Sequence, residues 1–212
     1  MDIAILLFDG FTALDAVGPY ETLSRIPGAT VTFVAAEAGV RRTDVGSLGL
    51  VADRRFDELT EPDILVVPGG PGTDLPIGHE PTLEWIRHAH AHTQWTTSVC
   101  TGSLILAAAG VLAGKEATSH WQALETLEAM GARPRNQRIV VDGKIMTAAG
   151  VSAGIDMGLT LAARLAGDEV AQAIQLGIEY DPEPPFDSGS PDKAPAAIVE
   201  LLLARSRFRQ AS

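Results

Sequence analysis

Apolar residues recur along this chain in two rhythms. Asp2-Ile3-Ala4-Ile5-Leu6-Leu7-Phe8, Val31-Thr32-Phe33-Val34-Ala35, Asp63-Ile64-Leu65-Val66-Val67 and Trp95-Thr96-Thr97-Ser98-Val99 are short runs dominated by apolar and β-branched residues. Such runs predict strands buried on both faces, because a parallel sheet covered by helices has no solvent face. Between them lie segments with helical periodicity, about Asp15 to Arg25 and about Thr82 to His92. A strand after every helix predicts an α/β fold, a flavodoxin-like three-layer sandwich in which a mostly parallel sheet carries helices on both faces.

The second half of the chain extends this pattern. Gly102 to Ala109 predicts a helix opening directly from the fourth strand, and Trp121 to Met130 another, after a short strand near Ala117-Thr118-Ser119. Arg138 to Val141, Asp142-Gly143 and Lys144 to Thr147 predict a hairpin, since Asp-Gly tolerates the positive φ of a tight primed turn. Ser152 to Ala166 predicts a long helix, and Asp168 stands where it would cap the next, which runs to about Tyr180. Asp181 to Pro195 is rich in Pro, Gly and Asp and predicts an extended loop. A last helix is expected over Ala196 to Arg207. No internal repeat or low-complexity segment interrupts the order. A length of 212 residues predicts a single domain over 1–212.

Charge narrows the choice of partners. The chain has 16 Lys and Arg against 27 Asp and Glu, a formal net charge of −11. That field repels phosphate backbones and anionic lipid, which argues against nucleic acid and membrane as partners and mildly against anionic substrates. Met1-Asp2 and the run Ile3 to Phe8 lack the basic start and length of a signal peptide. The apolar stretch Gly102 to Gly114 is too short to span a bilayer. A cytoplasmic location is therefore expected. The one cysteine, Cys100, rules out an internal disulfide and leaves a buried small hydrophobe or a nucleophile.

Placement favours the nucleophile. In Thr97-Ser98-Val99-Cys100-Thr101-Gly102-Ser103-Leu104, Cys100 falls where a strand ends and a helix starts. A residue at that elbow projects from the carboxyl edge of the sheet, where open α/β folds bind ligands. The helix N-terminus beside it favours a thiolate and is expected to lower the thiol pKa. Ser98 stands where the serine-hydrolase elbow has its first Gly, so that motif is only half matched. Val67-Pro68-Gly69-Gly70-Pro71-Gly72 follows the third strand at the same edge. There the N–H of Gly70 could pair with that of Thr101 to hold negative charge. An ordinary strand–loop connection fits that turn equally well. Ala149-Gly150-Val151-Ser152-Ala153-Gly154 is a second small-residue turn with the same two readings.

A thiol enzyme needs a proton carrier, and no His adjoins Cys100. Asp15 follows the first strand at the same edge. It is either a carboxyl whose pKa is raised in an apolar pocket or the N-cap of its helix, and spacing alone favours the cap. His120 precedes Trp121 after the expected short strand and could approach the pocket, but a satisfied core histidine is the favoured reading. His88 and His92 share a helix face at i, i+4 spacing, which zinc could use, but no Cys completes a set. A solvated helix end is the favoured reading, with no metal expected.

These residues together resemble the ThiJ/PfpI superfamily. The matching stretches are Leu7-Phe8-Asp9-Gly10, Leu14-Asp15-Ala16-Val17-Gly18-Pro19, Pro68-Gly69-Gly70, Ser98 to Leu104, Thr118-Ser119-His120-Trp121, Gly150 to Asp156, and Glu179 to Phe186 with Gly189-Ser190-Pro191. Cys100 followed by Thr101, with Asp15, is similar to the branch that hydrates isonitriles to N-substituted formamides. Protease-like members have His directly after the nucleophile, where this chain has Thr101. The resemblance implies that Cys100 adds to the isonitrile carbon, that Asp15 moves protons and that Thr101 orients water or the carboxyl. It implies no metal or organic cofactor, a small apolar substrate beside Gly70, Val151 and His120, and a homodimer. Ala148-Ala149-Gly150 is less glycine-rich than the corresponding family turn, which implies a reshaped pocket beside Val151. Two alternatives stay open: a glyoxalase- or deglycase-like enzyme acting on small aldehydes, and a non-catalytic redox or stress-response protein that senses oxidation at Cys100.

Overall fold

The computed structural model describes residues 1–208. Its elements run β1 (Asp2–Leu6), α1 (Ala13–Leu23), β2 (Thr30–Ala35), β3 (Gly39–Arg42), β4 (Gly49–Ala52), β5 (Arg54–Arg55), β6 (Ile64–Val67), α2 (Asp74–Ile77) and α3 (Glu80–His92). Then come β7 (Trp95–Val99), α4 (Gly102–Ala108), β8 (Glu116–Ala117), α5 (Leu124–Ala129), β9 (Arg133–Pro134), β10 (Ile139–Asp142) and β11 (Ile145–Ala148). Three helices close the order: α6 (Ala153–Ala166), α7 (Asp168–Gly177) and α8 (Ala196–Ala204).

Seven strands make the central sheet in the order β10-β11-β7-β6-β1-β2-β5. Every pairing is parallel except the β10–β11 hairpin, so the expected mostly parallel sheet is present. Register is continuous through the centre: Ile5 faces Phe33 on one side and Val66 on the other, and Val66 faces Thr97. Ile3, Ile5, Ile64 and Leu65 are fully buried, as strands covered on both faces must be. The helices form two groups, α1 with α6 and α7, and α4 with α2, α3 and α5. Both groups reach β7, through α6 and α4.

The chain leaves β1 toward β2 and later returns to place β6 and β7 on the opposite side of β1. The strand order thus reverses between β1 and β6, and ligands of open α/β folds bind in the crevice at such a point. The loops after β1, β6 and β7 meet there.

Three local expectations needed correction. The hairpin of β3 and β4 was not anticipated; it forms a separate two-stranded sheet. Its strands are only half covered, so no continuous apolar run marks them. Asp168 does not cap α7; it is the first helical residue, behind Gly167 at φ 91°. Its charge sits in the first turn, where it still complements the helix dipole. The last helix ends at Ala204, short of Arg207.

Candidate active site

β7 ends at Val99 and α4 begins at Gly102, which leaves Cys100 on the turn between them. Its φ of 56° is left-handed, a conformation worth about 1–3 kcal/mol of strain in a residue with a side chain. Four hydrogen bonds hold it there. The Cys100 N–H donates to the carbonyls of Ala148 at 3.1 Å and Ala149 at 2.8 Å. Its carbonyl accepts from the hydroxyls of Ser103 at 3.2 Å and Ser119 at 3.1 Å. The elbow read from the sequence is therefore a backbone tied down from β11, α4 and the segment after β8.

The turn after β6 packs directly on this elbow. A Cβ on Gly69 would lie 2.4 Å from the Thr101 nitrogen, and one on Gly102 would lie 2.0 Å from the Val67 carbonyl oxygen. Only glycine at both positions lets the two backbones approach so closely. Of the two readings open for this turn, one has the Gly70 N–H facing a developing anion. It donates instead to the Thr101 hydroxyl at 2.9 Å. Gly70 is therefore a structural turn under Thr101, and its N–H is not free for substrate. Thr101 also shares a hydrogen bond with the buried Thr73 hydroxyl at 2.8 Å, and Thr73 donates onward to the Gly70 carbonyl. From the far end of the chain, Arg207 donates to the carbonyls of Pro71 at 2.6 Å and Gly70 at 3.2 Å. Nothing in local sequence marks Thr73 or Arg207, because each acts across a long loop.

Asp15 is not a helix cap. It lies in the first turn of α1, behind Thr12, and is fully buried. Its Oδ2 accepts the Gly69 N–H at 2.9 Å, while Oδ1 has no partner of regular hydrogen-bond geometry. The carboxyl is nevertheless close enough to the Cys100 thiol for each to influence the other's protonation. Burial pushes the Asp15 pKa up to about 7, against the Gly69 N–H and the thiol, which favour its charge, and with a small upward push from Asp44.

The thiol runs against the sequence-based expectation. Burial first, and the neighbouring Asp15 charge second, push its pKa upward rather than down. Cys100 is only 5 % exposed and α4 has seven residues, so loss of hydration outweighs a short helix dipole. The groups that favour the thiolate are the N–H groups of Thr101 and Val151 and the Thr101 hydroxyl. Val151, rather than Gly70, thus supplies the second backbone donor. Two acids in one dry site do not ionise independently, and the pair carries a single charge over a wide pH range.

Beside the elbow opens a cavity of about 650 Å³ whose lining includes Leu14, Ser119, His120, Trp121, Gly150 and Val151. Three of these also serve the elbow or its neighbours: Ser119 holds the Cys100 carbonyl, Val151 faces the thiol and Leu14 precedes Asp15. His120 is half-buried, accepts weakly from the Gln122 N–H at 3.4 Å, and has its pKa lowered by burial, which keeps it neutral. It is a cavity-wall residue rather than a core one. Arg138, Asp192 and Lys193 line the outer part. The structure thus gathers Cys100, Asp15, Thr101 and Val151 at one point, sets His120 on the adjoining wall and leaves Gly70 beneath.

Known proteins share this arrangement of chain. Residues 1–164 match the DJ-1/PfpI family. The chain is 44 % identical over 206 residues to isonitrile hydratase of Pseudomonas putida, covering 97 % of this chain and 90 % of that protein. It is 30 % identical over 145 residues to deglycase PfpI of Pyrococcus furiosus, covering 68 % of this chain and 86 % of that one. Among solved structures, a ThiJ/PfpI family protein from Pseudomonas syringae superposes with a TM-score of 0.94 at 38 % identity, covering 96 % of this chain and 85 % of that one. By its fold, its elbow and these relatives, the chain belongs to the DJ-1/PfpI family.

Proposed function

We propose that this protein hydrates an isonitrile, R–N≡C, to the N-substituted formamide through a covalent thioimidate on Cys100. The observation that carries the reading is the buried Asp15 carboxyl beside a cysteine on a strained elbow, in a chain 44 % identical to a protein named isonitrile hydratase. The terminal carbon of an isonitrile accepts a soft nucleophile. The Cys100 sulfur forms a bond to that carbon, and Asp15 delivers a proton to it, giving R–N=CH–S–Cys100. Asp15, now a carboxylate, takes a proton from water as the water oxygen attacks the same carbon. Asp15 passes the proton it took from water on to the nitrogen, the hydroxyl proton of the tetrahedral adduct goes to the departing sulfur as the C–S bond breaks, and R–NH–CHO leaves with the thiol regenerated. Atoms balance with one water consumed and no redox step.

The site's other residues serve these steps. The N–H groups of Thr101 and Val151 steady the thiolate before addition and after collapse. Thr101 is held in place by Gly70 and Thr73. Leu14 and neutral His120 offer the cavity wall to an uncharged R group. The alternative of an oxidation sensor fits less well, because such a thiol is exposed and acidic, and this one is buried with a raised pKa. A Cys-His protease mechanism is disfavoured because Thr101 follows the nucleophile.

We read the enzyme as cytoplasmic and homodimeric. No helix among the described residues is long and apolar enough to cross a membrane. α8 exposes Ile198, Leu201 and Leu202, an apolar strip that suits a second copy. Light scattering during size-exclusion chromatography tests the dimer. The deciding experiment for the activity incubates purified protein with a simple alkyl isonitrile and follows formamide by mass spectrometry, with methylglyoxal as the parallel substrate. Formamide formed in proportion to enzyme is expected. Its absence, with methylglyoxal consumed, would replace the hydratase with the aldehyde-directed enzyme.

A further inference from the structure

The histidines at 88, 90 and 92 divide into two sets once α3 is folded. His90 turns inward, its Nδ1 2.8 Å from the Thr96 hydroxyl. His88 and His92 remain exposed on one face of the last turns, their rings 4.6 Å apart. A third group comes from outside the helix. Glu61, in the loop that enters β6, holds Oε1 at 3.6 Å from Nε2 of His88 and at 3.6 Å from Nε2 of His92.

From this geometry we propose that Glu61, His88 and His92 form a surface site for one zinc-class divalent cation, separate from the catalytic pair. The three residues offer ligand atoms all within 4.8 Å of one another. Tetrahedral bonds of about 2.05 Å put ligand atoms roughly 3.4 Å apart, so the two 3.6 Å spacings need only a small inward movement of exposed side chains. His92 is already set in the ligating tautomer. Its Nδ1 lies 2.9 Å from the His88 carbonyl oxygen, which can only accept, so Nδ1 carries the proton and Nε2 presents a lone pair. Two imidazoles and a carboxylate suit zinc and its first-row neighbours, whereas magnesium and calcium require oxygen-rich sets. The carbonyl end of α3 adds negative potential. Water would take the fourth position.

The site lies at the edge of the sheet where β6 and β7 begin, and Cys100 lies past the end of β7. A bound ion would therefore tie α3 to the loop entering β6 as a clip, and would not touch the reaction. The test uses untagged, metal-free protein titrated with zinc chloride against a chromophoric chelator. One zinc per chain is expected. His92→Gln and Glu61→Gln should each weaken binding by roughly tenfold or more, since even outer partners of a metal ligand are commonly worth that much. His90→Gln should leave affinity unchanged, and all three variants should keep the wild-type circular dichroism. Wild-type protein that takes up no stoichiometric zinc would overturn the proposal. So would binding that survives His92→Gln and Glu61→Gln, or that is lost in Cys100→Ser.

Discussion

The buried floor on which the elbow sits and the rim of the cavity beside it are built in opposite ways. At the floor, Cys100, Asp15, Thr101 and Thr73 are almost wholly buried, and their polar groups are tied to the turn after β6, to α4 and to the segment after β8. At the rim, Arg138, Asp192 and Lys193 are wet, and two of them belong to the irregular stretch before α8. A dry floor makes charge expensive and geometry rigid, so small chemical changes there have large effects. A wet rim screens charge and tolerates change, so it tunes which substrate enters.

The comparison breaks first at the proposed nucleophile. Cys100→Ser keeps the shape of the floor and removes the soft, ionisable atom. Turnover should fall below detection while the fold and melting temperature change little. Formamide production near the wild-type rate would show that the floor is not where the chemistry occurs.

Asp15→Asn comes next. A general acid–base group is worth about 10²–10⁴ in rate, and asparagine can still accept the Gly69 N–H. Turnover should drop by that range with folding intact, and an adduct on Cys100 seen by mass spectrometry would locate the defect in hydrolysis. The same residue sets the pH dependence. One proton must leave the Asp15–Cys100 pair to create a nucleophile, so kcat/KM should rise with pH through about 7. A profile flat between pH 5 and 9 would remove the coupled pair. Stability carries the opposite sign. Asp15 binds its proton more tightly folded than unfolded, with a pKa of about 7 against 3.8. Between those values the folded state holds more protons, so this contribution is present below pH 4 and is lost as pH rises to 7. Asp15→Asn should therefore be more stable than wild type at pH 8, by a few kcal/mol at about 1.4 per pKa unit, and equal to it near pH 4. Denaturant titrations at the two pH values measure this.

Thr101 tests how far the floor depends on its own support. Thr101→Val leaves the Gly70 N–H without an acceptor in a buried place and the Thr73 hydroxyl with only the Gly70 carbonyl, which costs about 1–3 kcal/mol. Thr101→Ser keeps the hydroxyl and should restore most of both activity and stability. Equal behaviour of the two variants would mean that the hydroxyl is idle.

The same contrast explains what could be read before folding. The strands were legible because their burial on both faces writes itself as unbroken apolar runs, and Cys100 was legible because a strand end and a helix start adjoin it in sequence. Asp15 was ambiguous, since a carboxyl in a first turn looks like a cap until Gly69 is known to lie on it. The thiol's direction was misread for a related reason. A helix start is visible in sequence, whereas the depth of burial that outweighs it is set by the end of β11 and the turns after β6 and β11, which are distant in sequence. Thr73, Arg207 and the Val151 N–H carry no local signature, and neither does Glu61 beside His88 and His92. Thr73 and Glu61 come from crossovers between strands, and Val151 and Arg207 from the chain that follows the last strand, contacts that periodicity does not encode.

The smallest effect sharpens the comparison at the rim itself, by separating apolar contact from charge. Leu14 adjoins Asp15 and lines the cavity while remaining 37 % exposed, so it belongs partly to each region. Leu14→Ala removes three carbons that an uncharged R group would cover. Burial is worth about 0.8 kcal/mol per CH₂, and half-exposure reduces what is lost, so the expected penalty is about 1 kcal/mol. For a bulky isonitrile that is roughly a fivefold fall in kcat/KM, carried mainly by KM. A methyl-sized substrate should be nearly indifferent, because it does not reach the leucine. Lys193→Ala, which removes a screened charge from the same cavity, should alter neither substrate by more than about twofold. If Lys193→Ala proved the more damaging of the two, the cavity would be selecting for charge, and the R group would have to be polar or anionic rather than apolar.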